Sequence, residues 1–464
     1  MRRTVWLLGL AFLGVYLYRN GVVVWPFLFR SVGDFGNHHE AGQALLRGES
    51  PFANWLNYPP LLPFLMAPLA LLDYETARIV WFLAGHACLL GAALLLWRPL
   101  GGDLAAFVAV GAVWAFAGAA QESLGLGQMT PLLLLLVAWA MQPARSGTAL
   151  GLATALKLWP GVLLAGDLLA SRWRALWTGI VVAVLGVAVP QLLLMALTPP
   201  PWGPLNSKYW MGTPAPLNVS IPATALRLTY SPSDGEVPKD WEAGNHTALR
   251  LPDWRWAVSA ATAGVVLVAG LLLVARFADP GNRVPLLASL VALALLASPI
   301  AWYHYQMMQF PGLAWLTADA FRRRAWSRLA GVTALEIGLT RPEVRDLLLA
   351  GGGAGRALLP GLLAAALGIV LFGLLLGSGR SGEPPRRARN PSRRHPGNPP
   401  GGENCMDLRR WLTATLASSR IEDNSETPEH GFQSPDYDTR DRSPFPSPGR
   451  DAIARRGRLV PEPG

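Results

Sequence analysis

The chain of 464 residues is 51% apolar and 15% charged, with a formal net charge of +10. Soluble globular chains carry about a quarter charged residues, so this composition excludes an ordinary soluble domain. The positive balance does not mark a nucleic-acid partner. The arginines gather in short connections between apolar runs and in the C-terminal tail, where membrane topology accounts for them.

A bilayer-spanning helix needs about 20 predominantly apolar residues. The first such run, residues 4–24, follows Met1-Arg2-Arg3. It is too long for the apolar region of a secretory signal and no small-residue cleavage site follows it, so it reads as an anchored helix. Lys and Arg on short loops mark the cytoplasmic side. The markers are Arg2-Arg3, Arg98, Arg145, Arg172 with Arg174, Arg276 with Arg283, Arg322-Arg323-Arg324 and the tail from Arg380. Between them, residues 4–24 run out, 76–97 return, 104–120 run out, and the short stretch 131–141 returns. Residues 148–170 begin and end on the cytoplasmic side, so this run must turn round, and Lys157-Leu158-Trp159-Pro160 lies at its middle. Residues 175–197 run out, 256–275 return, 285–300 run out and 305–321 return. A pair at 325–339 and 358–376, interrupted by Glu336, Arg341, Glu343 and Arg345, closes the count at roughly twelve spans.

Residues 61–72, after Tyr58-Pro59-Pro60, are too short to span and read as an interfacial or re-entrant helix. The expected architecture is an all-α polytopic membrane domain over 1–377, with outer loops 25–75 and 198–255. Residues 378–464, rich in Arg, Pro, Ser, Gly and Asn, are expected to form a disordered cytoplasmic tail. No internal repeat is present. Cys88 lies in an apolar run and Cys405 in the tail, so no disulfide framework is implied. The 19 tryptophans suit a wide membrane interface.

With this topology, five polar features fall on the outer face. They are Asp34-Phe35-Gly36-Asn37-His38-His39-Glu40; Gln121-Glu122 through Gly127-Gln128; the Lys157 tip; the loop 198–255 with Lys208, Tyr209, Trp210, Trp241 and His246; and Ser298-Pro299-Ile300-Ala301-Trp302-Tyr303-His304-Tyr305. Polar groups at membrane depth are costly and usually functional. A carboxylate, a lysine and a histidine opening on one cavity suit chemistry on an anionic, lipid-linked substrate. Asp34 can act as a general base, or as a capping residue ahead of a helix at 38–46. Lys157 can contact a phosphate as a compact charge, or snorkel to the interface. His304 can do the former, or bond backbone at a helix mouth.

Asp34, His38, His39 and Glu40 match no strong metal-ligand spacing, so no metal site is assigned. The acidic pairs Asp73-Tyr74-Glu75 and Asp234-Gly235-Glu236 read as solvated loop residues rather than divalent-ion ligands. Asn218-Val219-Ser220 and Asn245-His246-Thr247 match the N-glycosylation acceptor pattern, which matters only in a eukaryotic secretory setting. High Arg, Ala and Gly content fits a GC-rich bacterial genome.

The order of motifs resembles a known family. An Asp in the first outer loop is followed by Ala41-Gly42 and Gly48, then Tyr58-Pro59-Pro60-Leu61, Pro68-Leu69, Gly127-Gln128, Lys157-Leu158-Trp159-Pro160 and Ser298-Pro299 with Trp302 and His304. This is similar to the polyprenol-phosphate-mannose transferases of glycosyltransferase family 87 in the GT-C superfamily, over residues 3–321. The resemblance implies a GT-C fold in a bacterial plasma membrane, and the arginine pattern places both termini on the cytoplasmic side. It further implies inverting transfer of a sugar, mannose in the members that assemble phosphatidylinositol mannosides, from a polyprenyl-phosphate donor to a lipid- or glycan-linked acceptor. No cofactor is implied. By the same resemblance Asp34 is the base, Lys157 and His304 hold the donor phosphate, and Tyr58, Gln128 and Trp302 line the substrate cavity. Thr130 stands where the family often has Asn, which points to altered sugar recognition. A competing reading is a lipid or solute transporter or flippase, but such folds tend to show paired repeats with binding groups near the midplane. A scaffold subunit of an envelope-synthesis complex would leave Asp34 replaceable.

Overall fold

A computed structural model describes residues 2–24, 33–52, 58–116, 118–142, 145–203, 218–228, 253–341 and 359–380. Among these residues every regular element is helical, apart from one antiparallel bridge between Asn218 and Trp302. In chain order the helices are α1 (Arg2–Arg19), continued by a π turn over Asn20–Val24; α2 (Gly33–Leu46); α3 (Leu61–Met66); α4 (Tyr74–Trp97); α5 (Leu104–Phe116); α6 (Gly118–Leu126); and α7 (Thr130–Ala140). There follow α8 (Ser146–Leu156), a 3-10 turn Trp159–Leu163 leading into α9 (Leu164–Leu169), α10 (Trp173–Leu197), α11 (Ile221–Leu228), α12 (Asp253–Phe277) and α13 (Arg283–Ala297). A 3-10 segment Tyr303–Gln309 opens into α14 (Phe310–Arg322), and α15 (Trp326–Thr340) and α16 (Leu359–Arg380) complete the set. The first of two compact units covers residues 1–387; the second, 388–464, lies outside the described residues. Most of the expected tail therefore lies there too, while α16 runs on past its expected end to Arg380.

Three helices are long and apolar enough to cross a membrane: Tyr74–Trp97, Trp173–Leu197 and Ala257–Phe277. Helices α5 and α6 make a fourth if that pair, bent by 50°, counts as one span. Many of the other expected spans are shorter apolar helices, among them α7, α8 and α13. The reason is visible in α13, where every residue from Arg283 to Ala297 is buried. A short helix that is apolar on every face beyond its first residue suits a core position in a large bundle. By contrast, the long helices turn leucines and valines such as Leu83, Val184 and Val265 outward.

The chain reverses at Lys157. Helix α8 ends at Leu156 and Lys157 is extended, with φ −156° and ψ 127°. Pro160 sits in the first turn of the next segment, where its missing N–H costs nothing. The return strut α9 then lies beside α8, because Ser146 Oγ at the start of α8 donates to Asp167 Oδ2 of α9 at 2.8 Å. Residues 146–169 are thus a helical hairpin with Lys157 at its tip.

The foot of this hairpin is clamped. Asp167 is fully buried and pairs with buried Arg283 of α13 at 2.8 Å. The same guanidinium donates through Nε to Ala140 O at the end of α7, at 2.7 Å. Arg283 was expected as a loop charge marking topology; it lies at that end of the bundle, but as a buried partner. Nearby, Gln142 Nε2 donates to Leu95 O at 2.8 Å. Arg322 at the end of α14 grips Asp103 at 2.8 and 3.0 Å and also reaches Leu100 O. One end of the bundle therefore gathers residues 95–103, 140–142, 145–146, 167–172, 283 and 322. Helix α1 starts at this end as well. It runs alongside α5, with Phe12 against Phe107 and Tyr16 stacked on Trp114 at 3.9 Å.

Removing one partner of a buried ion pair strands the other charge, at about 3–5 kcal/mol, whereas an apolar replacement of both can be nearly neutral. Arg283→Met should therefore lower unfolding free energy by about 3 kcal/mol or more. Arg283→Met with Asp167→Leu should recover most of that loss. Denaturant unfolding in detergent micelles checks both, and equal stability of the two variants would contradict the clamp.

Candidate functional site

The opposite end of the bundle holds the residues singled out from the sequence. Helix α2 begins at Gly33, earlier than the helix expected at 38–46. Asp34 therefore lies inside the first helical turn rather than capping it from a preceding loop. A carboxylate there faces the positive end of the helix dipole. The start of α2 is fixed by a close approach to the turn after α6. Gly33 has φ +55°, and a Cβ on it would come within 2.7 Å of Leu126 O. Gly127 has φ +69°, and a Cβ on it would meet Phe35 Cβ at 2.5 Å. Neither position tolerates a side chain. Trp81 Nε1 of α4 donates to Gly127 O at 2.9 Å, so the turn is tied from a third side.

This turn delivers Gln128. Tyr58 Oη donates to Gln128 Oε1 at 3.1 Å. Lys157 Nζ donates to Tyr58 Oη at 3.5 Å and makes a shorter bond to Tyr305 Oη. The ammonium also stands over both rings, 4.8 Å from the Tyr58 centroid and 3.8 Å from that of Tyr305. Three of the expected residues, Tyr58, Gln128 and Lys157, are thus linked in one network. Tyr305 joins them without having been assigned a role; only its place beside His304 in an aromatic run signalled it. The ring of buried His304 packs edge-on against Tyr305, 4.5 Å between centroids. It adjoins the network through that tyrosine.

Asp34 and Lys157 are both half-buried and feel one another's charge. Neither belongs to a spanning helix. Burial pushes the Asp34 carboxyl up to about 6, with the Lys157 charge pulling the other way. Burial likewise brings the Lys157 ammonium down to about 7, opposed by Asp34. His38, one turn from Asp34 on the same helical face, packs edge-on against Tyr58 at 4.9 Å. Burial holds it neutral, at about 3; the Lys157 charge adds to this and its bond to the Gly127 backbone opposes it. His39 instead faces Leu72 O at 3.3 Å and packs with Phe35 and Tyr74. Among the described residues no three His, Cys, Asp or Glu side chains group closely enough to share a metal ion.

The segment bearing Trp302 and His304 is held by Asn218. Its buried side chain donates from Nδ2 to Pro299 O at 2.9 Å and accepts from Ala301 N at 2.9 Å. Val219 N adds a bond to Ala301 O at 2.8 Å, and Trp302 lies buried against this bridge. The acceptor pattern at Asn218 is therefore not available to a glycan, since both ends of its amide are engaged inside the protein. Asp73 is exposed, as expected, and also caps α4 by accepting from Thr76 N at 3.0 Å. Lys208, Tyr209, Trp210, Asp234, Glu236, Trp241, Asn245 and His246 lie outside the described residues.

The model of glycosyltransferase family 87 matches residues 55–299. That stretch contains Tyr58, Gln128 and Lys157; Asp34, Trp302 and His304 lie beyond its limits. The chain is also similar to two proteins named polyprenol-phosphate-mannose-dependent alpha-(1-2)-phosphatidylinositol pentamannoside mannosyltransferase. The one from Mycobacterium tuberculosis (strain CDC 1551 / Oshkosh) is 25% identical over 59% of this chain and 61% of its own length. The one from Mycolicibacterium smegmatis (strain ATCC 700084 / mc(2)155) is 24% identical over 59% of this chain and 64% of its own length. The chain thus spans less than two thirds of the relatives it matches.

Asn218→Ala should lower unfolding free energy by about 2–3 kcal/mol, because Pro299 O and Ala301 N then lose their partner in a buried setting. Denaturant unfolding in micelles measures this. A change within a few tenths of a kcal/mol would mean that the 299–302 segment is held by other means.

Proposed function

The chain belongs to glycosyltransferase family 87, and from that premise we propose that it transfers mannose from a polyprenyl-phosphate donor to a lipid- or glycan-linked acceptor. The observation that carries the reading is the pairing of Asp34 with the Lys157 network at one end of a helical bundle. In this reading residues 1–377 belong to a GT-C-type membrane domain of about twelve spans, and its last helix runs on to Arg380. The bundle end holding Arg98, Arg145, Arg172 and Arg322 is cytoplasmic, as are both termini. The exposed Trp6, Trp173, Trp177 and Trp326 near helix starts at that end suit a membrane interface, and the arginines set which side it faces. The site then faces the outer side of a bacterial plasma membrane.

The chemistry divides between the two charged groups. Asp34 takes the proton of an acceptor hydroxyl as that oxygen forms its bond to the anomeric carbon. The bond from that carbon to the phosphate oxygen breaks, and its electron pair leaves with the polyprenyl phosphate. Lys157 and His304 stabilise the charge that grows on the departing phosphate. Attack opposite the leaving group inverts the anomeric centre. A carboxyl at about 6 is ionised at neutral pH yet more basic than an ordinary aspartate, which suits general-base work. Tyr58, Gln128 and Trp302 line the substrate site.

The test is transfer from radiolabelled polyprenyl-phosphate mannose in membranes containing the chain. Asp34→Asn should reduce the rate about 100-fold or more while inserting normally. In the native enzyme kcat/KM should fall as pH drops through about 6, because protonation removes the base. Equal transfer by the native and Asp34→Asn proteins would refute Asp34 as the base.

A further inference from the structure

A lysine at a membrane interface ordinarily extends its ammonium into water. Lys157 does the reverse: its charge is folded back between two tyrosines brought from distant parts of the chain. Tyr58 precedes the rigid Pro59-Pro60 pair and follows α2 in sequence, while Tyr305 sits on the 3-10 segment before α14. Both present a hydroxyl oxygen and a ring face to the same ammonium. The Tyr58 hydroxyl spends its proton on Gln128 Oε1, so it can only accept from Lys157. An ammonium has three donors. The two tyrosine oxygens take two of them, leaving one for a further oxygen ligand.

We propose that Tyr305 and Tyr58 are positioning residues that hold the Lys157 ammonium charged and aimed at the donor phosphate; this rests on the transferase reading above. Three sets of neighbours face the ammonium. From α2 come the Asp34 carboxylate and the neutral His38. From the turn after α6 comes Gln128, acting through Tyr58. From 303–309 come Tyr305 and, beside it, His304. Of these only Asp34 carries an opposite charge, and the proposed reaction needs that carboxylate for the acceptor. The tyrosines supply the electron-rich surroundings that let a half-buried ammonium keep its proton without tying up the base. Cation–π contact and hydroxyl acceptance act in the same direction. Gln128 then has an indirect part: it turns the Tyr58 hydroxyl so that its lone pair faces Lys157.

Tyr305→Phe keeps the ring and removes the hydroxyl. It should raise the KM for polyprenyl-phosphate mannose about ten-fold with a much smaller change in kcat. It should also move the basic limb of kcat/KM down by roughly one pH unit, since Lys157 then gives up its proton more readily. The acidic limb, set by Asp34, should move less and in the opposite direction, since Asp34 loses part of the Lys157 charge that lowers it. Tyr305→Leu, which also removes the ring, should exceed Tyr305→Phe on both measures. Tyr58→Phe should shift both in the same direction by less, its bond to Lys157 being the longer one. A merely structural role would reduce the amount of folded enzyme without moving the basic limb. An unchanged donor KM and basic limb in both Phe variants, with Lys157→Met losing donor use, would overturn the proposal and leave the transferase reading standing. Absence of any transfer by the native chain would instead bring down the transferase reading, and this proposal with it.

Discussion

The position of Lys157 depends on a carboxylate at the far end of its hairpin. The tip is a break in the backbone with few hydrogen bonds of its own, and two short apolar helices could close around it in several ways. What selects one is Asp167, which binds Ser146 of the outgoing helix and Arg283 of α13 from the same buried carboxylate. Arg283 in turn reaches Ala140 O of α7. Four helical segments are thereby indexed to one another at the foot. In an apolar bundle this matters more than in a water-driven core, because leucine against leucine hardly distinguishes one register from another.

The other end is organised differently. There the constraints are close backbone approaches and single polar side chains that span long sequence separations. Gly33 and Gly127 allow α2 to lie directly against the turn that carries Gln128. Asn218 fixes the segment 299–302 through both ends of its amide. Each device orders backbone rather than packing more apolar surface. The result is a place where a carboxylate, an ammonium, two imidazoles and two phenols coexist without a strong ion pair between the charges. Such half-buried, unneutralised groups cost stability, and proteins keep them where they are used.

Much of the arrangement could be read in advance, for reasons that can be named. A lysine followed by Trp-Pro in the middle of an apolar run, with arginines flanking both ends, leaves the chain no option but to turn, and it turns at that lysine. Helices α4, α10 and α12 announced themselves by length. Helix α13 was equally apolar but for another cause, since complete burial and lipid exposure produce the same composition. The start of α2 was misplaced because Gly-Asp-Phe-Gly-Asn looks like a turn by local propensity; contact with Leu126 makes it helical. Asn218 fits an acceptor pattern through its immediate neighbours, while the backbone groups that engage its amide stand some eighty positions later.

Hydropathy and the placement of arginines act along the chain, so the sequence by itself determined that this is a helical bundle built for lipid, where it reverses, and which polar motifs occur at one end. The family to which the chain belongs was legible in the order of those motifs. Only the tertiary structure decided which side chains meet. Tyr305 joins Lys157, Arg283 leaves its loop for Asp167, and His39 turns away to Leu72 while His38 turns toward Tyr58. Those choices are set by packing between segments far apart in sequence, and a hydrogen bond between distant residues leaves no trace in the local pattern of either one.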